Sequence, residues 1–126
     1  MRDVIVVGGG VIGLSIAREI AKTRSVLVVD RGATGEGTSW AAAGMLSPLS
    51  EADDQGAFFQ LGLASHALYD AFVEELRQET GIDPGYRDEG GLLSLALSEE
   101  AEILLRRRCD WQRQAGFKVE FLSGED

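Results

Sequence analysis

The sequence predicts an α/β fold that begins with a strand, a glycine turn, a helix and a second strand. Val4–Val7 and Val26–Val29 are short, continuous apolar runs, typical of parallel strands buried on both faces. Between them lie a glycine-rich turn at residues 8–13 and an amphipathic segment, residues 11–22, with isoleucines four residues apart. This order is that of a βαβ unit, the building block of a doubly wound parallel sheet.

The turn reads Gly-Gly-Gly-Val-Ile-Gly and fits the pattern G-x-G-x-x-G. In that pattern Gly8 permits the tight turn, Gly10 lets the backbone approach a pyrophosphate, and Gly13 lets the helix lie close to the strand. Val11 and Ile12 begin the helix, where unpaired N–H groups and the positive end of the helix dipole form an anion site. Because strand, motif and helix follow in order, the sequence predicts a dinucleotide site of the Rossmann type.

An acidic residue ends the second strand. Asp30 lies 22 residues after Gly8, near the spacing expected of an acid that accepts hydrogen bonds from an adenosine ribose. A 2′-phosphate on that ribose would be repelled by the carboxylate. The residues therefore indicate FAD or NAD as the cofactor, and not NADP.

The length predicts one ordinary domain with a core, but the pattern of elements predicts part of a larger enzyme. The 126 residues contain only two clear parallel strands, and the final Ser-Gly-Glu-Asp resembles the start of a helix. We therefore expect an incomplete, N-terminal portion. A boundary near Gly85 is predicted to separate the N-terminal part of a cofactor-binding domain, residues 1–84, from the beginning of an α+β substrate domain, residues 85–126.

Charge and cysteine usage exclude several classes of function. The net charge is −9, and residues 51–126 carry seventeen acidic against seven basic side chains. This balance argues against nucleic acid and anionic membrane as partners. Cys109 is the only cysteine, which excludes an internal disulfide and a thiolate metal cluster and favours a reducing cytoplasm. No metal site is predicted.

A second helix start is predicted behind the second strand. Thr38 or Ser39 is expected to cap a short helix built on alanines, with Gly44 as its stop and Pro48 preventing its continuation. Spacing alone leaves two interpretations open. The segment is either a plain capped turn or a place where hydroxyl and N–H groups meet a second part of a long cofactor.

The second half of the chain is predicted to contain two helices and two strands. Residues 55–80 are expected to form one helix ended by Gly81, and residues 98–114 a helix capped by Ser98. Strands are expected at residues 92–97 and 117–122. The first helix carries an apolar stripe that we expect to be core, made of Phe58, Leu61, Ala64 or Ser65, Leu68, Phe72 and Leu76.

Single polar residues in this half favour structural roles. His66 is the only histidine and has no evident base or ligand partner in the sequence. Glu102 lies four residues before Arg106, the favourable order for an ion pair, so residues 106–108 are interpreted as a solvated face. Cys109 is expected to be a small buried apolar residue.

Three segments together resemble a known family. Residues 8–13, residues 30–32 and especially residues 38–46, Thr-Ser-Trp-Ala-Ala-Ala-Gly-Met-Leu, are similar to the amino-terminal region of the D-amino-acid oxidase family of flavoproteins. The resemblance covers essentially the whole chain and is strongest to the bacterial branch that serves thiamine biosynthesis. It implies a non-covalent FAD whose pyrophosphate is held at Gly8, Gly10 and Gly13. The ribose would be bound at Asp30, with Arg31 beside it. The path toward the flavin would be lined by Thr38, Ser39, Ala42, Gly44 and Met45.

The same resemblance implies a reaction. The amine of glycine or a related small amino acid is oxidised by hydride transfer to FAD, oxygen is reduced to hydrogen peroxide, and the imine hydrolyses to an oxo acid and ammonia. The substrate-binding arginine and a tyrosine are expected beyond Asp126, so these 126 residues alone are predicted to be inactive. A homo-oligomer of the intact enzyme is left open.

Two other functions remain open from the residues themselves. One is an NAD-dependent dehydrogenase built on the same βαβ unit, and the other is a non-catalytic dinucleotide-binding module. The absence of a nucleophile paired with a base is consistent with an oxidoreductase, because in such enzymes the cofactor carries the chemistry. Released flavin absorbs blue light and NAD does not, so the absorbance of the released cofactor distinguishes a flavoenzyme from an NAD-dependent dehydrogenase.

Overall fold

The computed structural model describes residues 1–88 and 91–123. By its internal contacts the chain forms two compact units, Met1–Met45 and Leu46–Asp126. Within the described residues no helix is long and apolar enough to cross a bilayer. The domain boundary between residues 84 and 85 stays a prediction.

The first unit is the predicted βαβ unit followed by one short helix. It contains β1 (Val4–Val7), α1 (Val11–Ala21), β2 (Val26–Val29) and α2 (Thr38–Ala41). The two strands pair in parallel, with Val4 opposite Val26 and Val7 opposite Val29. The helix makes the crossover between them, as parallel strands require. The predicted order of elements is thus confirmed.

Small residues form the packed face of α1. Ala17 is only 7% exposed, whereas the isoleucines at positions 12 and 16 are exposed. A Cβ added at Gly13 would lie 3.4 Å from Cγ1 of Val6, so this helix face lies on β1. The close approach of helix and strand therefore selects the smallest side chains for this face, and Ile12 and Ile16 lie outside it.

Each strand is covered on one face. Residues alternate between partly covered and exposed along both β1 and β2, and Val7 is 85% exposed. The prediction of strands buried on both faces is wrong for the described residues. A continuous apolar run is compatible with burial on one face or on both, and among the described helices α1 is the one that packs closely on both strands.

A polar pair joins the beginnings of the two strands. The carboxylate Oδ2 of Asp3 accepts hydrogen bonds from the Ser25 hydroxyl at 2.7 Å and from the Ser25 backbone N–H at 2.9 Å. The backbone N–H of Asp3 in turn donates to the Ser25 hydroxyl at 3.1 Å. These bonds, the hydroxyl first, lower the pKa of the Asp3 carboxyl below its usual value.

We expect Asp3→Ala to lower the stability of the protein at neutral pH. A depressed carboxyl pKa contributes stability that is present above about pH 3.9 and is lost as pH falls through the folded-state value. The stability difference between wild type and variant should therefore shrink in strong acid. Urea unfolding at pH 7 and at low pH measures this. An Asp3→Ala/Ser25→Ala double variant whose loss is the full sum of the two single losses would contradict the pairing.

The described residues of the second unit form four helices: α3 (Pro48–Glu51), α4 (Ala57–His66), α5 (Tyr69–Thr80) and α6 (Glu99–Gln114). The single helix predicted over residues 55–80 is wrong, since the chain breaks into α4 and α5 at Ala67 and Leu68. There the N–H of Leu68 bonds the carbonyl of Ser65, a tighter turn than the α-helix. Gly81, with φ of +70°, ends α5 as predicted.

One aromatic residue forms the centre of this unit. Phe59 is 2% exposed and packs edge to face against Trp111, at 5.3 Å between ring centroids, and against Phe117, at 5.5 Å. The predicted stripe began one position earlier, at Phe58, which is 70% exposed. Leu61 and Leu68 of that stripe are exposed as well. Both phenylalanines are apolar, so the aromatic partners on and after α6 decide which one is buried.

The last helix is as predicted, but the strands on either side of it are not. Ser98 Oγ accepts a hydrogen bond from the Ala101 N–H at 3.2 Å, and Gly116 follows α6 with φ of +88°. The described structure has no strand at residues 92–97 or 117–122. A strand exists only where its backbone groups pair with a neighbour, and no described segment of this chain pairs with either one.

Candidate cofactor-binding site

The glycine loop joins β1 to α1 in a conformation that needs its glycines. Gly8 has φ of +106°, a region that residues with a Cβ rarely adopt, and its N–H donates to the carbonyl of Val29 at 2.8 Å. A Cβ on Gly13 would collide with the carbonyl oxygen of Gly8. The first and last glycines of the motif therefore have the tasks predicted for them, the turn and the close helix packing.

A serine from α2 caps the N-terminus of α1. Gly10 is the N-cap residue of α1 and offers no side chain, while Ser39 Oγ accepts the Val11 N–H at 2.9 Å from 28 residues further along the chain. The prediction that Thr38 or Ser39 caps its own helix is wrong, since α2 has Gly37 at its N-cap without a side-chain bond. A Cβ on Gly10 would lie 3.1 Å from that serine oxygen.

The first turn of α1 retains groups that suit an anion. The N–H groups of Ile12 and Gly13 have no partner within the helix, because the first four N–H groups of any α-helix lack one. They lie at the positive end of the helix dipole, and the described first turn contains no acidic side chain. The loop can thus hold a pyrophosphate with backbone groups alone.

The Asp30 carboxylate closes the other side of the loop. Its Oδ2 accepts the Gly9 N–H at 2.7 Å, and its Oδ1 accepts the Gly32 N–H at 2.9 Å. These two bonds, Gly9 first, lower the pKa of the Asp30 carboxyl, and the neighbouring Arg31 adds to the effect. Each carboxylate oxygen still has a free lone pair, so the exposed group can also accept bonds from ribose hydroxyls.

Gly9 and Thr34 contact each other at the candidate site and were not among the residues predicted for it. Gly9 is buried, its carbonyl accepts the Gly35 N–H at 2.8 Å, and a Cβ there would lie 2.7 Å from the Thr34 methyl group. The loop after β2 therefore packs directly on the glycine turn. The only sign of this contact in the sequence is Gly9 itself, the middle of three consecutive glycines, at a position that the motif leaves free.

The remaining predicted residues follow in one exposed stretch. The helix α2 ends at Ala41, Ala42 is extended, and Gly44 has φ of +76°. Thr38, Ala42, Gly44 and Met45 are all exposed, as is Arg31. The helix α2 ends before the predicted stop at Gly44 and does not continue to Pro48, which begins the separate helix α3 at the first helical position, where proline is well suited.

Side chains of the second unit have mainly structural contacts. Arg106 Nη2 lies 2.7 Å from Glu102 Oε1, which confirms the predicted ion pair, and Cys109 is buried as expected. Arg108 departs from the predicted solvated face, since it donates to the Ser50 carbonyl at 2.7 Å. His66 Nε2 lies 3.7 Å from Asp88 Oδ1, a partner far away in sequence that spacing could not indicate.

Comparison with known proteins identifies relatives that are considerably longer than this chain. The chain is 43% identical over 122 residues to glycine oxidase of Geobacillus kaustophilus, covering 96% of this chain and 32% of the relative. It is 38% identical to glycine oxidase of Bacillus subtilis over 86% of this chain and 29% of the relative. The chain thus spans about a third of the length of these relatives.

A bifunctional relative and a solved structure agree with this result. The bifunctional protein ThiO/ThiG of Synechocystis is 43% identical over 70% of this chain and 14% of its own length. The crystal structure of glycine oxidase from Geobacillus kaustophilus superposes with a TM-score of 0.90 and 43% identity, over 97% of this chain and 33% of that one.

The family model described as DAO, FAD dependent oxidoreductase, matches residues 3–126. This match confirms the resemblance that the glycine loop and residues 38–46 predicted. With the βαβ unit, the capped glycine loop and the acid after β2 in place, the chain belongs to the family of FAD-dependent oxidoreductases.

Proposed function

We propose that the gene product containing this chain binds FAD non-covalently and oxidises the amine of glycine or a related small amino acid. The observation that carries the proposal is the 43% identity to a glycine oxidase over 96% of the chain. The site geometry independently supports FAD as the cofactor. The glycine loop has no Cβ at the motif positions, and its Gly9 N–H bonds the carboxylate of Asp30 at the end of β2.

We assign the cofactor's pyrophosphate to the backbone of the glycine loop. Gly8 and Gly10 leave room for it, and the first turn of α1, which begins at Val11, provides a positive dipole and the N–H groups of Ile12 and Gly13 as donors. Ser39 supports this arrangement by holding the Val11 N–H. The protein's contribution here is orientation, because backbone donors attached to a packed helix do not need to reorganise.

We assign the adenosine ribose to Asp30, with Arg31 beside it. The carboxylate is oriented by Gly9 and Gly32, so its free lone pairs are held ready for ribose hydroxyls. The flavin end of the cofactor is assigned to the stretch that follows, in which the proposed contacts are Thr38, Ser39, Ala42, Gly44 and Met45.

FAD held by these residues would supply the redox chemistry, the acceptance of hydride from the substrate and the transfer of two electrons to oxygen. Glycine, oxygen and water then yield an oxo acid, ammonia and hydrogen peroxide. The groups that bind the substrate carboxylate are proposed to lie outside these 126 residues. A place in thiamine biosynthesis and a cytoplasmic location belong to the proposal as well.

The proposal is tested with the full-length gene product. The purified protein should be yellow, release FAD on denaturation and produce peroxide with glycine or sarcosine. Release of a nicotinamide cofactor would replace the proposal with a dehydrogenase. Bound FAD without turnover of any small amine would indicate a non-catalytic dinucleotide-binding module.

Asp30→Ala is expected to weaken FAD binding by roughly ten- to a hundredfold, because charge-assisted hydrogen bonds to ribose are lost. Titration of the apoprotein with FAD, followed by flavin fluorescence, measures the change. Glu36→Ala removes a second acid from the same loop and should leave the affinity as it was. Equal affinities for wild type and Asp30→Ala would place the ribose elsewhere.

A further inference from the structure

Gly9, the middle of the glycine turn, is bonded through both of its backbone groups by the loop that follows β2. Its N–H donates to Asp30 Oδ2 at 2.7 Å, and its carbonyl accepts the Gly35 N–H at 2.8 Å. Gly9 itself is buried. All of these contacts lie within the first compact unit, Met1–Met45. The loop at residues 30–35 therefore holds the turn at its centre.

A side chain of the same loop packs on Gly9. A Cβ added at Gly9 would lie 2.7 Å from the methyl carbon Cγ2 of Thr34 and 3.2 Å from Thr34 Cβ. Carbon atoms in favourable contact are about 3.5–4.0 Å apart, so the Thr34 methyl group occupies the space that a side chain at position 9 would need. The φ of Gly9 lies outside the left-handed region, so the requirement that holds for Gly8 does not apply to Gly9.

The methyl group is the part of the Thr34 side chain that contacts the turn. Within the described residues the Thr34 hydroxyl makes no hydrogen bond, and the residue as a whole is exposed. Removing the hydroxyl should therefore change little. Removing the methyl group opens a space beside Gly9.

The bond from Gly35 also orients the next peptide group. The Gly9 carbonyl and the Gly10 N–H belong to one planar trans peptide and point in opposite directions. With the carbonyl held by Gly35, the Gly10 N–H faces away from that donor, and no group of the described residues accepts it. It is a further donor directly before the first turn of α1, where the pyrophosphate is assigned.

Gly9 also connects the two parts of the proposed cofactor site. The Asp30 carboxylate assigned to the ribose accepts the Gly9 N–H, and this bond is the largest cause of the lowered pKa of the Asp30 carboxyl. A displacement of Gly9 would therefore change the orientation of the ribose acid and of the pyrophosphate turn together.

We propose that Thr34 is a positioning residue for the cofactor, because its methyl group holds Gly9 where the Asp30 carboxylate and the Gly10 N–H are oriented for FAD. The inference rests on the proposed function, since it assumes that the glycine turn and Asp30 bind FAD. Thr34 itself is assigned no contact with cofactor or substrate.

The test compares Thr34→Ser with Thr34→Val in the full-length gene product. Serine removes the methyl group that contacts Gly9, whereas valine keeps a methyl group there and replaces only the hydroxyl, so valine is the matched control. FAD affinity is measured by titration of the apoprotein at several pH values. Amide hydrogen exchange of Gly9 and Gly35, the two backbone donors that join turn and loop, is measured without cofactor.

Thr34→Ser should bind FAD about fivefold more weakly, because a turn that is less ordered before binding must be ordered by the cofactor. The amides of Gly9 and Gly35 should exchange about tenfold faster, since local opening becomes easier, while those at the end of α1 exchange as in wild type. Thr34→Val should match wild type in both measurements.

The pH dependence of FAD affinity gives a readout specific to Asp30. A weaker bond from the Gly9 N–H lowers the pKa of the Asp30 carboxyl less, so the loss of affinity in acid should begin at a higher pH in Thr34→Ser than in wild type. Arg31, the charged neighbour that also lowers this pKa, is the same in both proteins.

A double-variant cycle tests the contact itself. Gly9→Ala should weaken FAD binding about tenfold, and Thr34→Ser added to it should recover part of that loss, because the serine vacates the space that the new methyl group needs. Losses that simply add would overturn the contact.

Equal FAD affinities of Thr34→Ser and Thr34→Val would overturn the positioning role, even if the amides of Gly9 and Gly35 exchanged faster in the serine variant. A wild-type protein that binds no FAD would overturn the proposed function and the positioning role with it. The exchange rates of those two amides would still report separately on the packing of Thr34 against Gly9.

Discussion

Gly13→Ala is expected to unfold the βαβ unit. The new Cβ would overlap the carbonyl oxygen of Gly8, a backbone atom at the end of β1 that cannot rotate away. The helix must then move off the strand that it covers, and we expect a loss of stability above about 4 kcal/mol, the range reached only by severe packing defects. Denaturant unfolding followed by circular dichroism measures this loss.

The matched control is Gly32→Ala in the same unit. The φ of Gly32 lies outside the left-handed region, and a Cβ there would meet Asp30 Oδ1 at 4.0 Å, an ordinary van der Waals contact. This variant should be close to wild type in stability. If Gly13→Ala were as stable as Gly32→Ala, the close packing of α1 on β1 would be wrong.

Gly10→Val is expected to abolish FAD binding while the fold persists, with a loss of affinity of roughly a hundredfold or more. A Cβ at this position would meet Ser39 Oγ at 3.1 Å, a contact that a small side-chain movement relieves. The two valine methyl groups would then occupy the space assigned to the pyrophosphate. Flavin absorbance of the purified protein, compared with its circular dichroism, separates binding from folding.

Gly10→Ala should lower FAD affinity less than Gly10→Val does, because its single methyl group disturbs Ser39 without filling the pyrophosphate space. It should retain measurable FAD binding. Ser39→Ala tests the remaining possibility, that displacing the serine cap is itself enough to lose the cofactor. A yellow Gly10→Val protein with wild-type affinity would refute the assignment of the loop.

If the proposed function holds, the described residues account for how the cofactor is bound and oriented. They do not account for substrate specificity. The ionised Asp30, the backbone of the glycine loop and the Ser39 cap are all binding and orienting groups. This division is expected of a flavoenzyme, in which the cofactor carries out the electron transfer and the protein sets its position.

The cofactor site could be predicted from the sequence to the extent that its signals are local. The tasks of Gly8 and Gly13 depend on the chain within a few residues, and Asp30 follows its strand directly, so the spacing alone located all three. Ser39 was predicted as a site residue, but it was expected to cap its own helix, and it instead accepts the Val11 N–H. Val11 lies 28 residues away, and no periodic pattern in a sequence indicates such a contact.

The sequence by itself determined the βαβ unit, the glycine loop, the end of α5 at Gly81 and the Ser98 cap of α6, since each depends on backbone conformation or on neighbours within a few residues. Only the tertiary structure decided that Phe59 and not Phe58 is buried, that Arg108 binds α3, and that residues 92–97 form no strand. Burial, side-chain bonding and strand pairing depend on which segments become neighbours in space, and those contacts join residues that the sequence keeps far apart.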